Sequence, residues 1–443
     1  MAFRRALGPF DATMLVVGGI IGAGIFMNPY LVAQRLSSGG LVLAAWITGG
    51  LVALAGAFAF AELAALFPKA GGEYVYLREA YHPFIAFLFG WASLLMIQGG
   101  GLAAVAITYA QYTLRLAGGG ATAAVPLAIA AIAVVATINF VGVKPGSTLL
   151  NVLVLLKIGA LAFLIVGGLL LARQMAAPPP AVAAPPGGAG PLSFGAALVP
   201  ILFSYGGWQG ANVVAEEMRE PRRTLAVALL WGTLVVIAIY VLANVVYLVA
   251  LGRDGLAASP TPAAEAVRRL FGPRADRLIA ATIAISAFGF LDLTLLAYTR
   301  IYWAMAKDGV FFEGLARLHP RFHTPSLAIA LQAAWGIVLV ATGSYSELVD
   351  SVVFADWIFF GLAGAAIFLF RRRIPLGSRE PGSFRTPAYP LAPALFVAAA
   401  LYVVASAILS NPGRTLIGTA LLALGAPVYL FYRRPRMRAA DRT

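Results

Sequence analysis

The sequence predicts an all-α polytopic membrane protein with about twelve transmembrane helices. Of its 443 residues, 61% are hydrophobic and only 11% are charged, and the apolar residues fall in long stretches. A soluble domain carries roughly 25% charged residues, whereas about 20 apolar residues in a row cross a bilayer as one helix. The predicted spans are 11–34, 40–66, 84–114, 125–142, 148–172, 194–217, 225–251, 277–304, 325–343, 351–370, 388–410 and 414–432.

The distribution of positive charge predicts that both termini are cytoplasmic. Most of the 32 lysines and arginines fall in segments on the same side as the N-terminus, although the arginines between 253 and 277 do not. This bias follows the positive-inside rule, so the net charge of +14 indicates topology and not nucleic-acid binding. The first stretch lacks the cleavage site of a signal peptide.

The residue types exclude several kinds of site. Cysteine is absent, which excludes disulfides, thiolate metal sites and cysteine nucleophiles. The three histidines, His82, His319 and His323, lie in polar connecting segments. With no nucleophile and base, and no metal ligands, at one depth of the membrane, we expect neither an enzyme nor a cofactor. Nothing in the sequence suggests the filter residues of a channel.

Two spans are unusually rich in glycine. The first contains GGIIGAGIF at 18–26, and the sixth contains SYGGWQG at 204–210. Glycine costs about 1 kcal/mol in a helix interior. One such cluster alone is typical of close helix packing. Two clusters five spans apart lie in oppositely directed helices, which predicts an inverted repeat with two broken helices that line a binding site.

The predicted organisation is a five-plus-five repeat with additions. The repeats are 11–172 and 194–371, joined by a Pro/Gly-rich outer linker at 173–193, and two further spans occupy 388–432. The segments 1–10, 372–387 and 433–443 are predicted to be cytoplasmic.

Broken helices expose backbone groups that lipid cannot satisfy, so they must line a cavity. Free N–H groups at the positive end of a half-helix suit a carboxylate, and free carbonyls suit an ammonium. An amino acid supplies both groups.

At these glycines the sequence resembles the amino acid–polyamine–organocation superfamily, and within it the L-type amino acid transporter branch with its prokaryotic members. Segments 61–81, 149–161, 240–251 and 299–325 carry the same resemblance, which covers nearly all of the first ten spans. It implies a LeuT-like fold and an amino acid as substrate.

The resemblance also implies site residues. The α-carboxylate is expected on backbone amides around Ile21, Gly22, Ala23 and Gly24. The α-amine is expected on carbonyls around Gly19, Ile20, Phe203, Ser204 and Gly206. Phe203 corresponds to the aromatic gate that closes over the substrate.

Lys157 lies near the middle of the fifth span, ~13 Å deep at 1.5 Å per residue. Intramembrane charges usually mark transport sites, but an ordinary ion pair with Asp292 is the alternative. The resemblance implies that Lys157 replaces a coupling sodium ion and ties the first break to the eighth span, with support from Tyr240. We therefore expect no sodium dependence. Ser286, on the eighth span, is predicted to line the same region.

The carboxylates leave more alternatives open. Asp292 stands where the resemblance implies an amide, and it is either a proton acceptor, since apolar surroundings favour the protonated form, or a silent partner of Lys157 or of a hydroxyl. Glu62 and Glu216–Glu217 are interpreted as structural in preference to gates. Asp356 is predicted to reach water near the outer end of span ten, so no acidic residue is expected beside the breaks.

Together these observations predict a sodium-independent secondary transporter of neutral L-amino acids that works by alternating access and exchange. Proton-coupled symport and transport of cationic amino acids or polyamines are the alternatives. The expected partners are the substrate and the lipid bilayer, with no nucleic acid. Animal L-type carriers join a glycoprotein through a cysteine between spans three and four. This chain has no cysteine, so we expect no disulfide-linked heavy subunit and a carrier in the plasma membrane of a prokaryote.

Overall fold

The computed structural model describes residues 3–22, 24–172, 187–272, 275–343, 345–375, 383–410 and 412–440. Over these residues the regular structure is helical, apart from two isolated backbone bridges. Nine of the described helices or continuous helix runs are long and apolar enough to cross a membrane, and the bent pair Pro9–Ile20 and Gly24–Arg35 makes a tenth candidate. Two shorter apolar helices, Pro191–Ser204 and Ser326–Thr342, occupy predicted spans six and nine. The all-helical, polytopic prediction is therefore confirmed.

The first half of the chain forms eight helices. They are α1 (Pro9–Ile20), α2 (Gly24–Arg35), α3 (Gly39–Leu66), α4 (Glu73–Ala80), α5 (Pro83–Ala92), α6 (Gln98–Ala117), α7 (Ala124–Val141) and α8 (Val143–Ala172). A π-helical turn at Ser93–Ile97 joins α5 to α6, so these two helices form one span.

The second half repeats this order of elements. Its helices are α9 (Pro191–Ser204), α10 (Gly210–Val213), α11 (Pro221–Ala258), α12 (Pro262–Phe271), α13 (Asp276–Leu293), α14 (Thr299–Lys307), α15 (Ser326–Thr342) and α16 (Tyr345–Arg373). A π-helical turn at Thr294–Tyr298 joins α13 to α14. The last helices are α17 (Leu391–Ser410), α18 (Pro412–Ala423) and α19 (Gly425–Ala440).

The helices pack as two groups with α8 between them. In one group α1 packs on α11, α2 on α9, and α3 on both α9 and α11. In the other group, α6 and α7 pack on each other, and both pack on α13 and α15. Helix α8 contacts α1 and α11 on one side and α13 on the other. Its position lets one side chain of α8 reach the break between α1 and α2.

Helix α8 also holds the start of α1. Lys144 Nζ lies 3.0 Å from Asp11 Oδ1, and Asn151 Nδ2 donates to the same oxygen at 2.8 Å. Asp11 in turn accepts from the Gly8 amide at 2.9 Å, which caps the first turn of α1. The beginning of α1 is therefore fixed on α8.

The end of the bundle at which α1 begins, the N-terminal face, is closed by an N-terminal clasp made of residues 3–7, Glu217, Arg300 and Trp303. The amides of Ala6 and Leu7 donate to the Glu217 carbonyl at 2.9 and 3.0 Å. The ring of Phe3 lies 4.7 Å from that of Trp303, between centroids. Arg300 and Glu217 form a bidentate ion pair, with Nε–Oε1 at 2.7 Å and Nη2–Oε2 at 3.2 Å. Both side chains are buried, and a buried pair resists separation because either charge alone is costly.

Glu62 is also paired. Its carboxylate accepts from Arg371 at 3.0 and 2.7 Å and from the Thr386 amide at 2.8 Å. These bonds tie α3 to α16 and to the segment before α17. They agree with the structural interpretation that the sequence favoured for Glu62.

Candidate functional site: two helix breaks around one cavity

The first break separates α1 from α2. Regular helix ends at Ile20, because Ile21 has a ψ of 87°, and the Gly22 amide donates to the Ile20 carbonyl at 2.8 Å in a tight turn. The helix resumes at Gly24. Ala23, predicted as a carboxylate ligand, lies outside the described residues.

The second break separates α9 from α10, between Ser204 and Gly210. Gly207 has a φ of +104°, which favours glycine, and its amide donates to Gln209 Oε1 at 3.0 Å. A Cβ built on Gly19 would lie 2.3 Å from the Gly207 carbonyl oxygen, and one on Gly207 would lie 2.2 Å from that of Gly19. The two breaks therefore touch through backbone alone.

The glycines of the first span thus have two uses. Gly19 permits the contact between the breaks, whereas Gly18 faces α8, where a Cβ would lie 2.6 Å from Val154 Cγ2. Close packing and an irregular backbone, which the sequence posed as alternatives, both occur within one cluster.

Lys157 binds the first break. Its ammonium donates to the Ile21 carbonyl at 2.8 Å and to the Gly18 carbonyl at 3.2 Å, and the side chain is fully buried. Ser286 Oγ, on α13, donates to the same Ile21 carbonyl at 3.3 Å. These carbonyls are freed by the break, so the ammonium satisfies groups that lipid cannot.

Tyr240 joins the two breaks. Its hydroxyl lies 2.8 Å from the Ile20 carbonyl oxygen and 3.1 Å from that of Ser204, and the ring is fully buried on α11. Asn28 adds a second link, since its amide donates to the Pro200 carbonyl at 2.9 Å and to Ser204 Oγ at 2.7 Å. The ends of α1 and α9 and the side of α2 are therefore held together.

A cavity of about 310 Å³ lies against both breaks. Eight of the predicted site residues line it: Gly19, Ile20, Gly22, Gly24, Phe203, Ser204, Gly206 and Ser286. Phe203, the predicted gate, is 48% exposed. Lys157, Tyr240 and Ile21 lie behind the wall, where they hold the breaks in place.

The backbone amides divide into occupied and available groups. The Ile21 amide donates to the Val17 carbonyl at 2.9 Å, and the Gly22 amide is used in its own tight turn. Gly24 begins α2, and the first N–H groups of a helix have no acceptor within it. Gly24 also lines the cavity, so the positive end of α2 faces the space with its donors.

Asp292 is in a different place. It is fully buried on α13, and Oδ1 accepts from the Asn139 amide of α7 at 2.6 Å, while Oδ2 has no hydrogen-bond partner. It is not among the residues that line the cavity. The partner is an amide from the fourth span, and not Lys157 or a hydroxyl as the sequence suggested.

Several cavity residues were not predicted. Asp356, which was expected to reach water near the outer end of its span, lines the cavity with its neighbour Trp357. Helix α16 begins at Tyr345, so Asp356 lies about 16 Å along it at 1.5 Å per residue, and its side chain faces the cavity. Gln98 and Tyr298, at the ends of the two π-helical turns, also line the cavity, and such turns often occur at functional sites.

A metal centre has no support from the ligand types present. Over the described residues no group of three or more histidine, aspartate or glutamate side chains is arranged to hold a metal ion. The site offers backbone amides, backbone carbonyls and one carboxylate on a mostly apolar wall. This arrangement suits a small zwitterion.

Comparison with known proteins agrees with this geometry. The family model described as "Amino acid permease" matches residues 7–430. The serine/threonine exchanger SteT of Bacillus subtilis is 30% identical over 96% of this chain and 96% of its own length. The human cystine/glutamate transporter is 30% identical over 98% of the chain and 87% of its own. The human b(0,+)-type amino acid transporter 1 is 30% identical over 84% and 77%.

Proposed function

The chain belongs to the amino acid permease family, a family of membrane transporters and not of enzymes, and from this premise we propose that it is a sodium-independent exchanger of neutral L-amino acids. The observation that carries the proposal is the single cavity of about 310 Å³ lined by both helix breaks. In this cavity, backbone N–H groups and backbone carbonyls of the two breaks can bind the same small molecule.

The backbone of the substrate is assigned to the two breaks. The α-carboxylate binds at the start of α2, from Gly24 onward, because its N–H groups lack helical acceptors and carry the positive end of the helix dipole. The α-ammonium binds carbonyls that line the cavity around Gly19, Phe203 and Ser204. The predicted role of the Ile21 amide passes to Gly24, since the Ile21 amide is already used within α1.

Sodium independence follows from Lys157. Its ammonium occupies the position beside the Gly18 and Ile21 carbonyls and close to Ser286, where oxygen ligands converge. A fixed positive charge there satisfies these oxygens and repels a second cation. No bound sodium is then needed to hold the first break against α13.

Alternating access is assigned to movement of α1, α3, α9, α10 and α11 against the group that contains α6 and α13. Two observations support this assignment: the buried Arg300–Glu217 pair of the N-terminal clasp at one face, and the 48% exposure of Phe203. Closure of Phe203 over a bound amino acid and separation of Arg300 from Glu217 are the two gating events. The helices that move come from both internal repeats, 11–172 and 194–371, which would cross the membrane in opposite orientations.

Exchange is the mode that the relatives favour, since SteT is named as an exchanger and matches nearly the whole chain. We propose a carrier of a single kind of subunit in a prokaryotic plasma membrane, with both termini cytoplasmic. The absence of cysteine excludes a disulfide link to a heavy subunit.

Flux in proteoliposomes tests the proposal. The purified chain, reconstituted in sodium-free buffer, should take up labelled alanine and leucine only when the vesicles are preloaded with unlabelled amino acid. Adding sodium should leave the rate unchanged. Uptake into empty vesicles driven by an inward proton gradient would replace exchange with proton symport, and absence of saturable uptake in both modes would remove the substrate assignment.

A further inference from the structure

The cavity wall contains one charged residue. Among the described residues that line it, Asp356 alone carries a formal charge, and most of the others are small or apolar. Lys157, the nearest positive charge of the site, lies behind the wall with its ammonium bound to two carbonyls. Asp356 is therefore the one side chain of the described cavity wall that can carry a charge.

Among the described residues, Asp356 has no cationic partner. Over the described part of the chain, no lysine or arginine forms an ion pair with it. The buried carboxylate of Glu73, on α4, is close enough to interact electrostatically with Asp356, and one of its oxygens has no hydrogen-bond partner. Tyr298, which also lines the cavity, lies within the influence of both carboxylates.

This arrangement is costly without a ligand. A carboxylate at an apolar wall loses hydration, and a second carboxylate nearby adds to the cost. A positively charged group in the cavity would compensate the carboxylate of Asp356, the one that lines the space. A site built around such a group also discriminates strongly against an analogue that lacks it, because the protein's polar group is then left unpaired.

We infer that Asp356 binds the cationic end of a basic amino acid side chain, so that lysine and arginine are substrates beside neutral amino acids; the inference rests on the proposed exchange. The α-carboxylate and α-ammonium occupy the breaks as for any substrate. The side chain extends within the same cavity to Asp356, with Gln98 and Tyr298 as further polar neighbours. Asp356 is thus a specificity-determining residue of span ten.

The test compares lysine with norleucine, which has the same carbon chain without the ammonium. Proteoliposomes are preloaded with unlabelled alanine, and the membrane potential is clamped at zero so that substrate charge does not drive uptake. The unaltered protein should exchange lysine as well as norleucine and alanine. In Asp356→Asn, lysine exchange should fall by at least about tenfold, the size expected for losing a hydrogen bond to a charged group.

Norleucine exchange by Asp356→Asn is the internal reference: the ratio of lysine to norleucine exchange should fall by at least about tenfold, because both amino acids share the backbone recognition and the isosteric amide keeps the volume. This measurement also shows that the variant is folded. Asp254→Asn is the matched control, since Asp254 lies outside the cavity and its side chain is exposed. It should leave the ratio of lysine to norleucine unchanged.

Three other outcomes would contradict either the inference or the proposed function. Exchange of alanine without lysine by the unaltered protein would overturn the inference and leave the proposed function standing. Equal loss of lysine and norleucine in Asp356→Asn would remove Asp356 from side-chain recognition. Failure of the unaltered protein to exchange any of the three amino acids would instead contradict the proposed function itself.

Discussion

Lys157 and Asp292 are equally buried charges in very different surroundings. The ammonium of Lys157 donates to backbone carbonyls at a helix break, whereas the carboxylate of Asp292 accepts from Asn139 between two regular helices. Lys157 thus holds an irregular backbone that lines the cavity, and Asp292 joins α13 to α7 away from it. Burial of a charge is therefore a weaker indicator of transport than what the charge contacts.

Of the substitutions considered, replacing Lys157 is expected to lower the rate of alanine exchange most. In Lys157→Gln the Gly18 and Ile21 carbonyls lose a charged donor, and hydrogen bonds to charged groups contribute about 1.5–3 kcal/mol each. Alanine exchange per reconstituted protein should fall by more than about tenfold. Lys69→Gln, an exposed lysine in a connecting segment, is the control. Unchanged exchange in Lys157→Gln would show that the first break holds without the ammonium.

Removing the Tyr240 hydroxyl should have an intermediate effect. Tyr240→Phe deletes the one O–H donor that the Ile20 and Ser204 carbonyls share, and a neutral hydrogen bond contributes about 0.5–1.5 kcal/mol. We expect alanine exchange to fall by about three- to tenfold.

Tyr247→Phe is the matched control for Tyr240→Phe. Tyr247 is fully buried on the same helix, and its hydroxyl has no hydrogen-bond partner. Its replacement should leave exchange unchanged. Equal losses in the two variants would mean that removing any buried hydroxyl of α11 has this effect, and that the link between the breaks does not account for it.

Asp292→Asn should have the smallest effect. The new amide oxygen can still accept from Asn139, and the residue does not line the cavity. Alanine exchange should remain within about twofold of the unaltered rate, since a substitution that keeps shape and hydrogen bonding usually changes little. Uptake should be measured with and without an inward proton gradient. If the unaltered protein shows uptake driven by the proton gradient and Asp292→Asn does not, Asp292 is a proton site. Both buried residues would then have a role in transport.

The spans and both breaks could be predicted from sequence because their signals are local. Apolar stretches of about 20 residues mark membrane helices, and the clusters at Gly18–Gly24 and Gly206–Gly210 mark where helix is weakened. The two clusters form one site because Gly19 and Gly207 are in close contact.

The direction in which side chains point could not be predicted as well. Span four is almost uniformly apolar, so nothing in the sequence placed Asn139 opposite Asp292. Asp356 was assigned to water because it lies near the outer end of span ten, and nothing in the sequence showed that its side of α16 faces the cavity. The sequence also did not show which backbone amides are free to bind a substrate. The Ile21 amide is used at the end of α1, whereas Gly24 begins α2, and this depends on the residue at which α1 ends.

The N-terminal clasp affects how the protein is best handled. Phe3 packs on Trp303, and the amides of Ala6 and Leu7 bind the Glu217 carbonyl, so the first residues belong to the gate that we propose. An affinity tag or fluorescent protein fused directly ahead of Phe3 would disturb its contact with Trp303. It would thereby shift the equilibrium between the states open to either face. Labels for purification or single-molecule work belong at the other end of the chain. Shortening the N-terminus by a few residues becomes a means of favouring the state open to that face.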